Sequence, residues 1–201
     1  MRTIRCLTIL AAALLLGCEK EKPAAPATQP VQLQTGRFAL QKMLVPAHLW
    51  APDAQPIWLQ SVYITQDGNG HDGKSSLWRA SFASPSRQKT VIFIWSGTDH
   101  SDMQRGVSHL REEFFNASNR SEQPFDLNYL KIDSEEALET AQKHGGKELL
   151  AKKPNQPVMY LLDYDARIPQ VRWHVIYNDN PSGAPLTVLI DASSGQFIHK
   201  E

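Results

Sequence analysis

The apolar positions change period several times along the chain, and each change marks an element. Between Gly36 and Trp50, Leu40, Leu44 and Ala47 recur at helical spacing, with Phe38 and Met43 beside them, which predicts a helix. Pro46 is expected to kink or end it, since proline has no amide hydrogen for the preceding turn. Residues 57–65 (IWLQSVYIT) are rich in β-branched and aromatic side chains and predict a strand. Residues 77–83 alternate, with Trp78, Ala80 and Phe82 on one face. Residues 91–95 form a continuous apolar run, as in a strand covered on both sides. The polar stretches 67–74 and 84–89 between these strands read as turns. Met103, Val107, Leu110 and Phe114 then form an apolar stripe. It predicts a helix over residues 101–116, opened by a capping box of Ser101 and Gln104.

After the polar residues 116–124 the pattern starts again. Asp133-Ser134-Glu135-Glu136 combines capping residues with early acids and opens a helix. Ala137, Leu138 and Ala141 give it an apolar side, and Gly145-Gly146 are expected to stop it. Residues 158–162 read as a strand. Val171, Trp173, Val175 and Tyr177 alternate on one face, leaving His174 on the other. Residues 178–185 read as a turn, 186–191 as a strand and 196–199 as a short final strand. Both halves therefore share the order helix, strand, strand, strand. Leu77-Trp78-Arg79-Ala80-Ser81-Phe82 aligns with Arg172-Trp173-His174-Val175-Ile176-Tyr177, which suggests an internal duplication. The alternative is two unrelated hairpins in one larger sheet. The fold class is α+β: two tandem units of a helix on an antiparallel sheet, residues 36–120 and 121–201.

The second unit resembles the PepSY family. The likeness rests on the helix with Glu135-Glu136-Ala137-Leu138, the strand around Trp173 and the terminal Asp191-Ala192-Ser193-Ser194-Gly195. Asp191 and Ser193 can bond their own backbone and Gly195 can take a left-handed turn, which would join two antiparallel strands. The first unit departs from this pattern, with Trp95-Ser96-Gly97-Thr98 at the matching place. The resemblance implies a helix packed on an antiparallel sheet, a role tied to envelope proteins and no catalytic residues.

The first 17 residues read as an export signal. Arg2 and Arg5 are followed by an apolar stretch of 11 residues, 6–16, too short to span a bilayer, which needs about 20. Leu15-Leu16-Gly17-Cys18 resembles the lipobox of bacterial lipoproteins. It implies cleavage before Cys18, diacylglycerol on its thiol and further acylation (palmitate among the acyl chains) at the new terminus. Two or more chains anchor stably where one does not. Residues 18–35 comprise this cysteine and a Pro- and Ala-rich linker that favours extended backbone. Glu19 stands where an aspartate would retain a lipoprotein at the inner membrane, so the resemblance points to the outer membrane, facing the periplasm.

Composition adds exclusions. The 201 residues carry 21 basic and 21 acidic side chains, which gives no reason to expect a nucleic-acid partner. The two cysteines, Cys6 and Cys18, both precede the folded region, so no disulfide supports it and core packing must. Residues 67–72 (DGNGHD) superficially resemble a calcium loop, but Asp72 stands at the glycine position and Trp78 at the twelfth. A hairpin turn explains them. Thr98-Asp99-His100-Ser101-Asp102 gathers a hydroxyl, an imidazole and two acids, which the capping preferences of Ser and Asp also explain. His109 and Glu113, four residues apart, offer at most two metal ligands. No hydrolase elbow, phosphate loop or zinc motif is present in the sequence. Trp50, Trp58, Trp78, Trp95 and Trp173 are expected mainly in the core, with a binding cleft as the alternative.

The sequence therefore predicts a non-enzymatic envelope module, tethered to a membrane through lipid on Cys18, that binds a protein or peptide. The alternative is a carrier with a small-molecule or lipid cavity between helix and sheet. No catalytic residue, cofactor or metal ligand is assigned.

Overall fold

Thr35 starts the first helix: its hydroxyl accepts a hydrogen bond from the Phe38 amide at 3.4 Å, satisfying one of the orphan donors of the first turn. The computed structural model describes residues 29–99 and 103–201. Cys18 and the whole export signal lie outside the described residues, as do His100, Ser101 and Asp102. Helix α1 (Gly36–Trp50) buries Gly36, Ala39, Leu40, Met43 and Ala47. It runs through Pro46 rather than ending there. Proline deprives only the Lys42 carbonyl of a partner, and Lys42 is exposed to water. Beyond it, buried Ala47 and the bond from Ala51 N to Ala47 O hold the last turn.

Strands β1 (Gln55–Ser61), β2 (Leu77–Ser84) and β3 (Lys89–Ser96) follow as an antiparallel meander. Then come the short β4 (Gly106–His109) and β5 (Glu113–Phe114), both paired with β3. The second half gives α2 (Ser134–Ala141), a π turn over Gln142–Gly146, and α3 (Lys147–Lys152). A second meander completes it: β6 (Met159–Asp165), β7 (Gln170–Ile176), β8 (Thr187–Asp191) and β9 (Phe197–Lys200). The strands form one nine-stranded sheet in the order β4-β3-β2-β1-β6-β7-β8-β9, with β5 beside β3. The two meanders meet through the antiparallel pair β1–β6. The expected units thus share one sheet and one core.

The stripe over residues 101–116 is the largest departure from expectation. Among its described residues the chain is extended, and Val107, Leu110 and Phe114 are 38%, 46% and 71% exposed. Two physical reasons compete with the helical period. The helix side of the first meander is already covered by α1, so a second helix has no place on that side. The outer edge of β3 presents unpaired backbone groups, which β4 and β5 satisfy. His109 and Glu113 accordingly lie on separate strands. Gly145-Gly146 also behave differently: Gly145, at φ +114°, breaks the α path, yet the helix resumes as α3. Gly146 lies against the Tyr177 ring, where any Cβ would overlap the hydroxyl. Among the described residues no helix is long and apolar enough to cross a membrane.

Between helices and sheet lie Trp78, Trp173, Tyr160, Tyr177 and Phe82, all fully buried. The two tryptophans occupy matching places. Trp78 Nε1 donates to the Gln34 carbonyl and Trp173 Nε1 to the Ile132 carbonyl, each at 2.9 Å. Gln34 and Ile132 each immediately precede the N-cap residue of a helix, Thr35 of α1 and Asp133 of α2. The Asp191 turn forms as expected: its carboxylate accepts from the Ser193 and Ser194 amides at 2.9 and 2.6 Å, and Gly195 adopts φ +75°.

One turn carries a pH signature. The Asp53 carboxylate, just after α1, accepts from Ser84 Oγ at 2.6 Å and from the Ser86 amide at 2.9 Å. The Ser84 bond first, then the Ser86 amide, lower its pKa from 3.8 to about 2. A folded-state pKa depressed below the unfolded one contributes stability that is present above the unfolded value and lost as pH falls through the folded one. The melting-temperature gap between wild type and Asp53→Asn should therefore stay constant at neutral pH and close between pH 3.8 and about 2. Melts followed by circular dichroism check this; a gap undiminished at the acid end would refute it.

Candidate functional site

Helices cover one side of the sheet, and strand alternation sends every second side chain to the other. Register partners on that helix-free face form two rows. One crosses six strands as Ile92, Ser81, Trp58, Asp163, Arg172 and Asp191. The next is Ile94, Arg79, Gln60, Leu161, His174 and Leu189. The face is apolar over β3 and charged over β6 and β7. Trp58, Ile92, Asp163, Arg172 and His174 are half-buried, so their outer atoms reach solvent.

The segment from Leu110 to Phe125 walls this face. Leu110 N bonds to Ile92 O at 2.9 Å, Phe115 N to Gln88 O at 3.1 Å and Phe125 N to Pro56 O at 2.9 Å. Phe115 is buried with Ile57 and Ala83, and Trp58 packs against them. A corner contact fixes the start of the wall: Trp50 Nε1 and Arg87 Nη2 donate to Glu112 Oε1 at 2.8 and 3.0 Å. The Trp50 bond, aided by the Arg87 charge, holds the Glu112 carboxyl below its ordinary range.

Two clefts result. One, of ≈ 210 Å³, lies between Trp58, Ser81 and Ile92 on its floor and Leu110, Phe114 and Phe115 in its wall. The other, of ≈ 230 Å³, is lined by Asp163, Asp165 and Arg172 with Arg120, Ser121 and Arg167. They adjoin, because Trp58 and Asp163 are register partners and consecutive residues, Ser121 and Glu122, line one each.

The charged cleft is an interlocked network. Asp163 Oδ1 faces His174 Nε2 at 3.0 Å and accepts from Arg172 Nη2 at 3.3 Å. Asp165 accepts from Arg172 Nη1 at 3.1 Å and from Arg167 Nε at 3.0 Å. Burial alone would raise the Asp163 pKa; the His174 hydrogen bond and the Arg172 charge outweigh it and hold the carboxyl below its usual range. Asp165 is held well below that range, chiefly by the hydrogen bonds from Arg167. Both carboxylates are thus ionised and oriented at neutral pH, and they fix the Arg172 guanidinium at the cleft floor. Such a floor offers directional donors and acceptors to a polar chain.

The residues singled out in the sequence are dispersed. Among the described residues no group of three or more His, Cys, Asp and Glu side chains could hold a metal ion. The supposed calcium loop is a turn: Asp67 accepts from Ser76 Oγ at 2.5 Å, Asn69 from the His71 amide and Asp72 from the Lys74 amide. Asp99 accepts from the Arg105 amide at 2.9 Å. Of the tryptophans, Trp78, Trp95 and Trp173 are buried, while Trp50 and Trp58 keep exposed edges. Sequence reasoning placed His174 off the core face but did not find Asp163, Asp165 or Arg172. The period-2 alternation over residues 171–177 places Arg172 and His174 together; their carboxylate partners lie on the adjacent strand β6.

The fold and this face define an α+β protein with one large antiparallel sheet, helices on one side and a clefted, partly charged face on the other. No family model matches the chain, and no curated protein matches it. A crystal structure of a protein from Clostridium difficile 630, described as a "putative lipoprotein", is similar: the TM-score is 0.52 at 14% identity, covering 86% of this chain and 95% of that one. At that identity the likeness concerns the fold alone.

Proposed function

We propose that the chain is a lipid-anchored envelope protein whose folded part is a non-enzymatic interaction module, holding an extended protein or peptide segment on the helix-free face. The observation that carries this reading is the pair of adjoining clefts. An apolar one at Trp58 and Ile92 would seat a side chain. Beside it, the Arg172, Asp163 and Asp165 network would bond a polar neighbour. The core favours this over a carrier, since the large aromatic side chains fill the space between helices and sheet that a lipid cavity would need.

Two further parts belong to the same reading. The lipobox at Cys18 and the composition of residues 18–35 support an anchor, and the structural neighbour described as a "putative lipoprotein" agrees with it; Glu19 favours the outer membrane, facing the periplasm. The two halves are duplicated PepSY-like units. The repeated tryptophan bond to the residue before each helix cap supports this, as does the matching order of helix and meander.

Site-specific photocrosslinking tests the binding face. A crosslinker at Ile92 or Arg120 should trap a discrete envelope partner, while one at Glu139, exposed on α2, should not. Equal labelling at all three positions, or no adduct at the two cleft positions, would sink the proposal.

A further inference from the structure

Of the stripe of Met103, Val107, Leu110 and Phe114, the binding face takes only Leu110 and Phe114, in the wall of its apolar cleft. The stripe's residues follow the outer edge of the sheet, from the start of β4 to β5. Val107, Leu110 and Phe114 are exposed, and Met103 lines a shallow groove with Ile94, Val107 and Leu110. The large exposed apolar residues are unevenly distributed among the described residues. Val31, Val45, Leu49, Val107, Leu110 and Phe114 belong to the first half, and only Tyr129 and Ile168 to the second. The end of α1 lies against this edge, since Trp50 bonds to Glu112 in the β4–β5 connection.

The chain enters the fold at the same edge. The Arg105 side chain, one residue before β4, donates to the Pro30 carbonyl at 2.8 Å and to the Gln29 carbonyl at 3.4 Å. Gln32 N bonds to Gly97 O at the end of β3. Ten residues, 19–28, separate Cys18 from Gln29. Fully extended they reach at most roughly 35 Å.

We infer that the β4–β5 edge is the membrane-facing side of the protein, lying at the headgroup level of the bilayer that holds its anchor. This rests on the lipid-anchor reading above. The tether leaves beside Arg105, so this edge is the part of the described fold to which the anchor is joined. The apolar side chains are spaced singly along the edge with Arg105, His109, Arg111, Glu112 and Glu113 among them, a mixture of apolar and charged groups suited to the headgroup level. The free backbone edge of β4 limits insertion, because unpaired peptide groups are not tolerated in hydrocarbon but are hydrated among headgroups. With this edge down, the β9 edge points away from the membrane and the clefted face stands open at its side.

The test uses the full chain, matured and reconstituted in phosphatidylethanolamine–phosphatidylglycerol vesicles, with an environment-sensitive fluorophore on Phe114→Cys, on Leu110→Cys or on Ile168→Cys. Labels at 110 and 114 should shift to the blue and be quenched by lipids spin-labelled near the headgroup; the label at 168 should do neither. Slowed amide exchange of β4 on vesicle binding, in unlabelled protein, is the second readout. Unchanged emission at 110 and 114 would overturn the inference. So would a blue shift that appears equally in detergent and grows with protein concentration, which would mean a second copy covers the edge. Failure of the anchor reading is separate: Cys18 would not incorporate palmitate. The labelled full chain added to the same vesicles would then still decide, with no shift at 114 overturning the docking as well.

Discussion

Trp173→Ala is expected to destabilise the protein by about 3–5 kcal/mol, the range for emptying a large aromatic site in a packed core. For a chain of this size that is a fall in melting temperature of roughly 6–20 °C. Trp78→Ala should cost a similar amount, since both rings are fully buried and both indole N–H groups close a bond to the residue before a helix cap. Trp→Phe at either place keeps most of the burial; at 173 it removes the indole bond to the Ile132 carbonyl, a loss of about 1–3 kcal/mol, and at 78 the loss should be smaller because the Gln34 carbonyl still accepts from the Ser75 amide at 3.0 Å. The two rings also meet near one point. A Cβ on Gly36 would lie 2.5 Å from the Trp173 ring and 3.2 Å from the Trp78 ring. Residues so close should not be additive, and a double-mutant cycle should give a coupling of about 0.5–3 kcal/mol. Urea denaturation of the four species measures it; strict additivity would show that the rings act independently.

The same tryptophans show what the sequence makes legible. Alternation over residues 77–83 and 171–177 marks Trp78, Phe82, Trp173 and Val175 as facing one way, and all are buried. A strand's period is set by its pleat, so a half-covered strand records its inner face in its own residues. The α1 stripe is legible for the same reason. The 101–116 stripe misleads because helical spacing says which residues share a face only if a helix forms. Whether it forms depends on what is left to cover, and here α1 has already covered the first meander while the β3 edge lacks partners. The central β1–β6 pair is not legible at all. It joins residues about a hundred positions apart, such as Trp58 and Asp163, and no local pattern reports such a pairing. The adjoining of the two clefts depends on it, so the candidate site is legible only as separate parts, with His174 on one side of a strand and Trp58 without a role.

The contact between the two helix starts gives the second large effect. Asp133 begins α2 with a capping box: its carboxylate accepts from the first-turn amides, and Glu136 Oε2 accepts from the Asp133 amide at 2.9 Å. The same Asp133 Oδ1 accepts from the Ser134 amide at 2.7 Å and, across the molecule, from the Arg37 amide in the first turn of α1 at 2.9 Å. One carboxylate therefore serves two helix N-termini, where both dipoles favour negative charge. Beside it, Ser134 Oγ accepts from Gly36 N at 2.9 Å and donates to the Gly73 carbonyl at 2.7 Å, so both helices are also tied to the loop before β2. Removing an ordinary N-cap costs about 0.5–2 kcal/mol. Asp133→Ala should cost about twice what Thr35→Ala costs, because Thr35 caps α1 alone, through Phe38. Asp133→Asn keeps the acceptor oxygen and loses the charge, so it should fall between the two. Thermal melts of the three variants would settle the order. If Asp133→Ala proved no more costly than Thr35→Ala, the carboxylate would be capping one helix only. The two halves would then be held together by the β1–β6 pair, the tryptophan contact and the Ser134 bond to Gly36, with no contribution from the Asp133 carboxylate.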